Sequence, residues 1–181
     1  MADFPECDPP LGAGGFSAYV GKVKKSQRVE AFVGTLGSGG KVAEQGFDAC
    51  YLGYFECFNE GLYYEAHDVL ENLWLKEGAG APDYRFHKGL IQLAGGFVHL
   101  KLQHVHPTHP KHGRRLDPAR RLFLLAAGNL SPYGPWHRGM EVGAPVALAV
   151  KTAALIGEEV SSRNPWDPGK LPRLTLPVMN R

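Results

Sequence analysis

Tyr64, His67, Glu71 and Trp74 follow one another at intervals of 3, 4 and 3 residues. At about 100° per residue this spacing places all four on one face of a helix. His67 and Glu71, one turn apart, can hydrogen-bond each other or share a metal ion. In acid–base chemistry His67 would be the base and Glu71 the carboxylate that orients it. Glu65 precedes His67 by two positions and falls on a different arc. A second polar stripe, Arg85, Lys88, Gln92 and His99, has intervals of 3, 4 and 7 residues and lies among Gly89, Gly95 and Gly96. Burying unpaired charge is costly, so the two stripes are expected to meet, with Glu71 paired to Arg85 or Lys88. His99 then becomes a third candidate metal ligand beside His67 and Glu71. Tyr64, Glu65, Trp74, Arg85, Lys88 and Gln92 would line a ligand pocket, with Arg85 or Lys88 holding a small anionic group.

Three readings of this constellation stay open. It is a buried network that fixes helix register, a divalent metal site, or an acid–base site built on His67. A metal-assisted hydrolase is the most specific form of the second and third. The contrasting class is a non-catalytic structural or interaction module, a homodimer, in which the polar cluster only locks the packing.

Five helical segments must position these residues. Phe47, Cys50, Tyr51, Tyr54, Phe55 and Phe58 recur at helical spacing, and Asn59-Glu60-Gly61 ends that first helix, with Gly61 suited to a left-handed C′ position. A second helix spans about 62–77. On it Leu62, Ala66, Val69, Leu70 and Leu73 face the core, and Asp68, Asn72 and Lys76 fall on a wet arc. A third begins at Pro82 or Asp83 and runs to about Gln103, apolar on two sides and therefore central. The fourth starts with Asp117 as N-cap and Pro118 in the first turn and ends near Gly128 or Asn129. The fifth covers about Pro145 to Val160. No set of alternating apolar runs argues for strands. The class is all-α, a compact bundle of about five helices. Residues 1–40 form a Gly/Pro-rich arm, 41–160 the single helical domain, and 161–181 an irregular Pro-rich tail.

The segment FNEGLYYEAHDVLENLW at 58–74 resembles the signature of the bacterial and archaeal "domain of unknown function 309" family. RFHKGLIQLAGGFVHL at 85–100, DPARRLFLLAAGNL and YGPWHRGMEV resemble its later parts. The matching positions are Phe58, Asn59, Gly61, Glu65, Ala66, His67, Glu71, Trp74, Arg85, Gly89, Leu90, Ile91 and Gln92, and the resemblance covers about 47–160. It implies a compact all-helical fold and no established activity. The chain departs from the pattern at Asp68, where Glu is common, in a His-rich insertion at 104–112, and in its long N-terminal arm.

Composition sets the outer bounds. The chain has 181 residues, 44% hydrophobic and 21% charged, with net charge +2. That suits one domain with a real core, and the charge balance does not point to nucleic acid. No apolar run reaches the ~18 residues of a membrane span. The acidic, Pro-rich start is unlike a secretory signal. Cys7, Cys50 and Cys57 form no CxxC pair and read as free thiols in a reducing cytoplasm. His104, His106, His109 and His112 are interrupted by Pro107 and Pro110 and read as a solvated loop. With Lys111, Arg114, Arg115, Arg120 and Arg121 they make a basic patch on a solvated face. Phosphate-loop, zincin, dinucleotide-binding and nucleophile-elbow motifs are all absent from the sequence.

Overall fold

A computed structural model describes residues 34, 47–157 and 163–175. The arm, except Gly34, lies outside them, as do 158–162 and the last residues of the tail. Between residues 47 and 157 lie five α-helices: α1 (Ala49–Asn59), α2 (Tyr63–Glu77), α3 (Tyr84–Val105), α4 (Leu116–Leu130) and α5 (Gly143–Ile156). A 3₁₀ turn at Ser131–Tyr133 follows α4. A two-residue antiparallel pair, β1 (Trp136–His137) with β2 (Met140–Glu141), precedes α5. The all-α expectation holds. No helix among the described residues is long and apolar enough to cross a membrane.

Local chemistry explains the boundaries. Asp48 caps α1 through a hydrogen bond from the Cys50 N–H at 2.7 Å. At the other end Gly61 has φ +71°, the Gly61 N–H donates to Phe58 C=O, and the Leu62 N–H donates to Cys57 C=O. This paired arrangement satisfies the last carbonyls of the helix and requires the left-handed residue that glycine supplies. Two expected starts move. α3 begins at Tyr84, because the Asp83 carboxylate is engaged by His137 and Arg138 and does not cap the helix. α4 begins at Leu116, with Arg115 in the N-cap position, because the Asp117 carboxylate pairs with Arg121 one turn on. α5 starts at Gly143 and stops at Ile156, where Gly157 turns out with φ +78°.

α3 is central. It packs against α2 on one side and α4 on the other, with α1 on α2 and α5 on α4. Aromatic rings knit the core: Phe58 meets Tyr63 and Phe97, and Phe97 meets Phe123 edge-on at 4.9 Å. The tail segment is tied down. Asn59 exchanges two hydrogen bonds with the backbone of Leu174, and Trp166 packs edge-on against Tyr63.

The glycines of α3 admit α4 at close range. A Cβ on Gly96 would meet three ring carbons of fully buried Phe123 at 2.6–2.9 Å. Gly96→Ala is therefore expected to destabilise the fold by about 2 kcal/mol. Overpacking of this severity costs about 3 kcal/mol, offset by roughly 1 kcal/mol of better helix propensity. Urea denaturation checks the value. Adding Phe123→Leu should recover most of the loss, since the smaller side chain vacates the ring position.

Candidate functional site

α2 carries the polar cluster on one turn. Hydrogen-bonding and ligand atoms of His67, Asp68 and Glu71 all lie within 4.8 Å of one another. His67 and Asp68 are buried and Glu71 is half-buried. His67 Nδ1 and Asp68 Oδ1 are 3.1 Å apart. The ring of His67 lies over Gly95 of α3: a Cβ there would be 3.9 Å from His67 Cδ2 and 3.4 Å from Leu122 Cδ1 of α4. α3 thus packs beside His67 at Gly95, where even a Cβ would stand at ordinary van der Waals distance from the ring.

The predicted residues divide between this cluster and other places. Asp68, expected on a wet arc, is buried in the cluster beside His67. A helical wheel separates neighbours by about 100°, but short side chains of adjacent residues can still meet. His99, expected as the third ligand, is not part of that group; its Nδ1 accepts from Arg115 Nη1 at 3.1 Å. Arg85, expected to pair with Glu71, donates through Nε to Asn129 Oδ1 at 3.2 Å, and Asn129 Nδ2 donates to Gln92 Oε1 at 2.8 Å. The polar stripe of α3 therefore engages α4 at Arg85 and Gln92. Trp74 is an anchor: its Nε1–H donates to Tyr84 C=O at 3.0 Å and its ring stacks on Tyr84. Tyr64 and Glu65 are exposed, and Lys88 is half-buried. Cys50 and Cys57 are free thiols; burial, with nearby carboxylates, pushes them up to about 11 and about 12, which removes them as nucleophiles near neutral pH.

A second polar cluster, which spacing did not reveal, clamps the β1–β2 hairpin onto the start of α3. Asp83 accepts from His137 Nε2 at 2.6 Å and from Arg138 Nη1 at 2.9 Å. Arg138 has φ +46° in the hairpin turn, lies over the Tyr51 ring, and accepts the Tyr51 hydroxyl at its carbonyl. Nearby, His87 is fully buried and its Nδ1 pairs with Glu77 Oε2 at 2.8 Å. Burial raises the Asp83 carboxyl, but the bonds and charges of His137 and Arg138 outweigh it and hold the carboxyl below its usual range. A carboxylate lowered on folding contributes stability above its unfolded value, and that stability is lost as pH falls through the folded value. Asp83→Asn should therefore cost roughly 1–2 kcal/mol at neutral pH. The gap to wild type should close below about pH 4, read from thermal melts across pH.

No curated protein and no solved structure matches the chain. The signature at 58–74 and the motif at 85–100 lie inside a family match that covers residues 51–108, from α1 through α3. The segments of α4 and the hairpin, also read as resembling the family, lie beyond that match. Residues 51–108, which contain the His67 cluster and the glycines of α3, match the family DUF309, Domain of unknown function.

Proposed function

We propose that His67, Asp68 and Glu71 hold one divalent cation, and that the chemistry this centre serves is metal-assisted hydrolysis. The observation that carries the reading is the grouping of one imidazole and two carboxylates within 4.8 Å on a single helical turn, with His67 and Asp68 buried. One imidazole and two carboxylates within reach of one another are a donor set that a divalent cation can bind. One nitrogen and two carboxylate ligands suit borderline ions such as zinc or manganese. Such an ion, when bound, supplies Lewis acidity and lowers the pKa of a coordinated water. Asp68 Oδ1, 3.1 Å from His67 Nδ1, and a Glu71 oxygen lie close enough to this ring for one ion to be shared. Gly95 of α3 lies beside the ring. Arg85 and Lys88, one turn apart on α3, would steer an anionic substrate.

Metal analysis of tag-free protein beside His67→Ala tests the reading. About one ion per chain in wild type, lost in the variant, supports it and justifies a hydrolase screen. A metal-free wild type that takes up neither zinc nor manganese, with a variant that is only less stable, makes the cluster a packing network.

The alternative is a non-catalytic homodimer. It is favoured by a groove between α4 and α5, lined by Arg120, Leu124, Val150, Ala153, Ala154 and Gly157, where Leu124 and Val150 are 46% and 49% exposed. Sedimentation equilibrium separates the cases: a concentration-independent monomer removes this reading. A reducing compartment such as the cytoplasm fits the free thiols of Cys50 and Cys57.

A further inference from the structure

Arg115, in the N-cap position of α4, is only 7% exposed. Its Nη1 donates to His99 Nδ1 at 3.1 Å. A guanidinium can only donate, so His99 Nδ1 carries the lone pair and the ring is neutral. Burial first, then Arg115 and His112, lower His99 to about 4. The Nε and Nη2 atoms of Arg115 are buried and have no hydrogen-bond partner. These two nitrogens form one edge of the guanidinium, the fork that grips two oxygens of a single anion. Among the described residues no carboxylate stands within ion-pair distance of Arg115, and the nearest in sequence, Asp117, is taken by Arg121.

The surroundings add a second unpartnered group. His112 also has a buried, unpartnered Nδ1, and the rings of His109 and His106 lie 4.5 and 5.8 Å from its own. The loop is tightly folded, with the Gly113 N–H donating to His109 C=O at 2.8 Å. No side chain caps α4, so the positive end of a 15-residue helix is presented at the same place. A buried cation whose one polar contact is a neutral imidazole lacks compensation, and an anion supplies it.

We propose that Arg115, His112 and the N-terminus of α4 bind a phosphate-type oxyanion, either inorganic phosphate or the phosphoryl group of a small ester. The site uses none of the His67 cluster and stands or falls separately from the metal reading. Calorimetric titration of the full chain with inorganic phosphate, at ionic strength held constant with chloride, tests it. Saturable binding of one phosphate per chain is expected. Arg115→Lys, which loses the forked edge, should weaken it by roughly tenfold or more. His112→Gln should weaken it by a smaller factor. Glycerol phosphate in a parallel titration identifies the source: tighter binding than phosphate assigns an ester, weaker binding assigns the free ion. A flat wild-type isotherm overturns the proposal, as does unchanged affinity in a folded Arg115→Lys. Should that variant fail to fold, His112→Gln decides, because its side chain is half-buried in an exposed loop; unchanged affinity there overturns the proposal too.

Discussion

Glu71→Gln is expected to cut divalent-cation affinity at least about a hundredfold while the helical fold persists. The variant keeps the size of the side chain and removes one of the two carboxylate charges in the His67, Asp68 and Glu71 group. Replacing a residue that only orients a ligand typically costs 10–100-fold in metal affinity, and loss of a direct ligand costs at least as much. Glu71 is the best of the three to change because it is half-buried, whereas His67 and Asp68 are each 7% exposed. Zinc and manganese titrations by calorimetry, with circular dichroism as the fold control, give the answer. A variant that binds as tightly as wild type would sink the assignment of Glu71 as a ligand. A second signature accompanies the first: bound metal should raise the melting temperature of wild type in proportion to the logarithm of its concentration. Chelator should abolish that rise, and the variant should lack it.

The second large effect concerns acid. His99 is lowered from 6.5 to about 4. Its causes in order are burial, the charge of Arg115, and the charge of His112. A histidine kept neutral by the fold is protonated more readily when the chain unfolds. Between about pH 6.5 and pH 4 the unfolded state therefore binds more protons, and stability falls as pH drops through that window. The shift corresponds to about 3 kcal/mol, fully present above pH 6.5 and fully lost near pH 4. His99→Gln keeps an acceptor for Arg115 but cannot titrate. Its stability curve should be flatter than wild type across the window, measured by urea denaturation at several pH values. Parallel curves for the two proteins would refute the role of His99. His87, fully buried and also lowered chiefly by burial, titrates in the same direction, so the difference between the two proteins carries the argument.

Which parts of the molecule were legible in its sequence follows from the range of the forces involved. The helices were legible because their signals are local. Apolar residues recur at helical spacing along α1, α2 and α3, and Gly61 marks the end of α1 by a conformation that other residues rarely adopt. The polar pair His67 and Glu71 was legible for the same reason, since one helical turn fixes the distance between them. The glycines beside the stripe of α3 foretold a close neighbour, and Phe123 lies against Gly96.

Pairing across helices was beyond such reasoning. The rotation of α3 about its own axis decides that Arg85 and Gln92 meet Asn129, and that His99 serves Arg115 and stays out of the His67 group. That rotation is set by the summed packing of two helices and by which residues leave room, such as Gly96. Asp68 joined the buried cluster because a side chain's direction depends on its rotamer as well as its angle on the wheel. Helix starts moved when carboxylates that could cap found stronger partners, as Asp83 did with His137 and Arg138 from a hairpin more than 50 residues away. By itself, then, the sequence determined which segments are helical, which faces are apolar, and that one turn of α2 brings together groups able to do chemistry. Only the tertiary structure decided the third member of that group and left Arg115 buried without a counter-charge, because both depend on contacts between residues far apart in the chain.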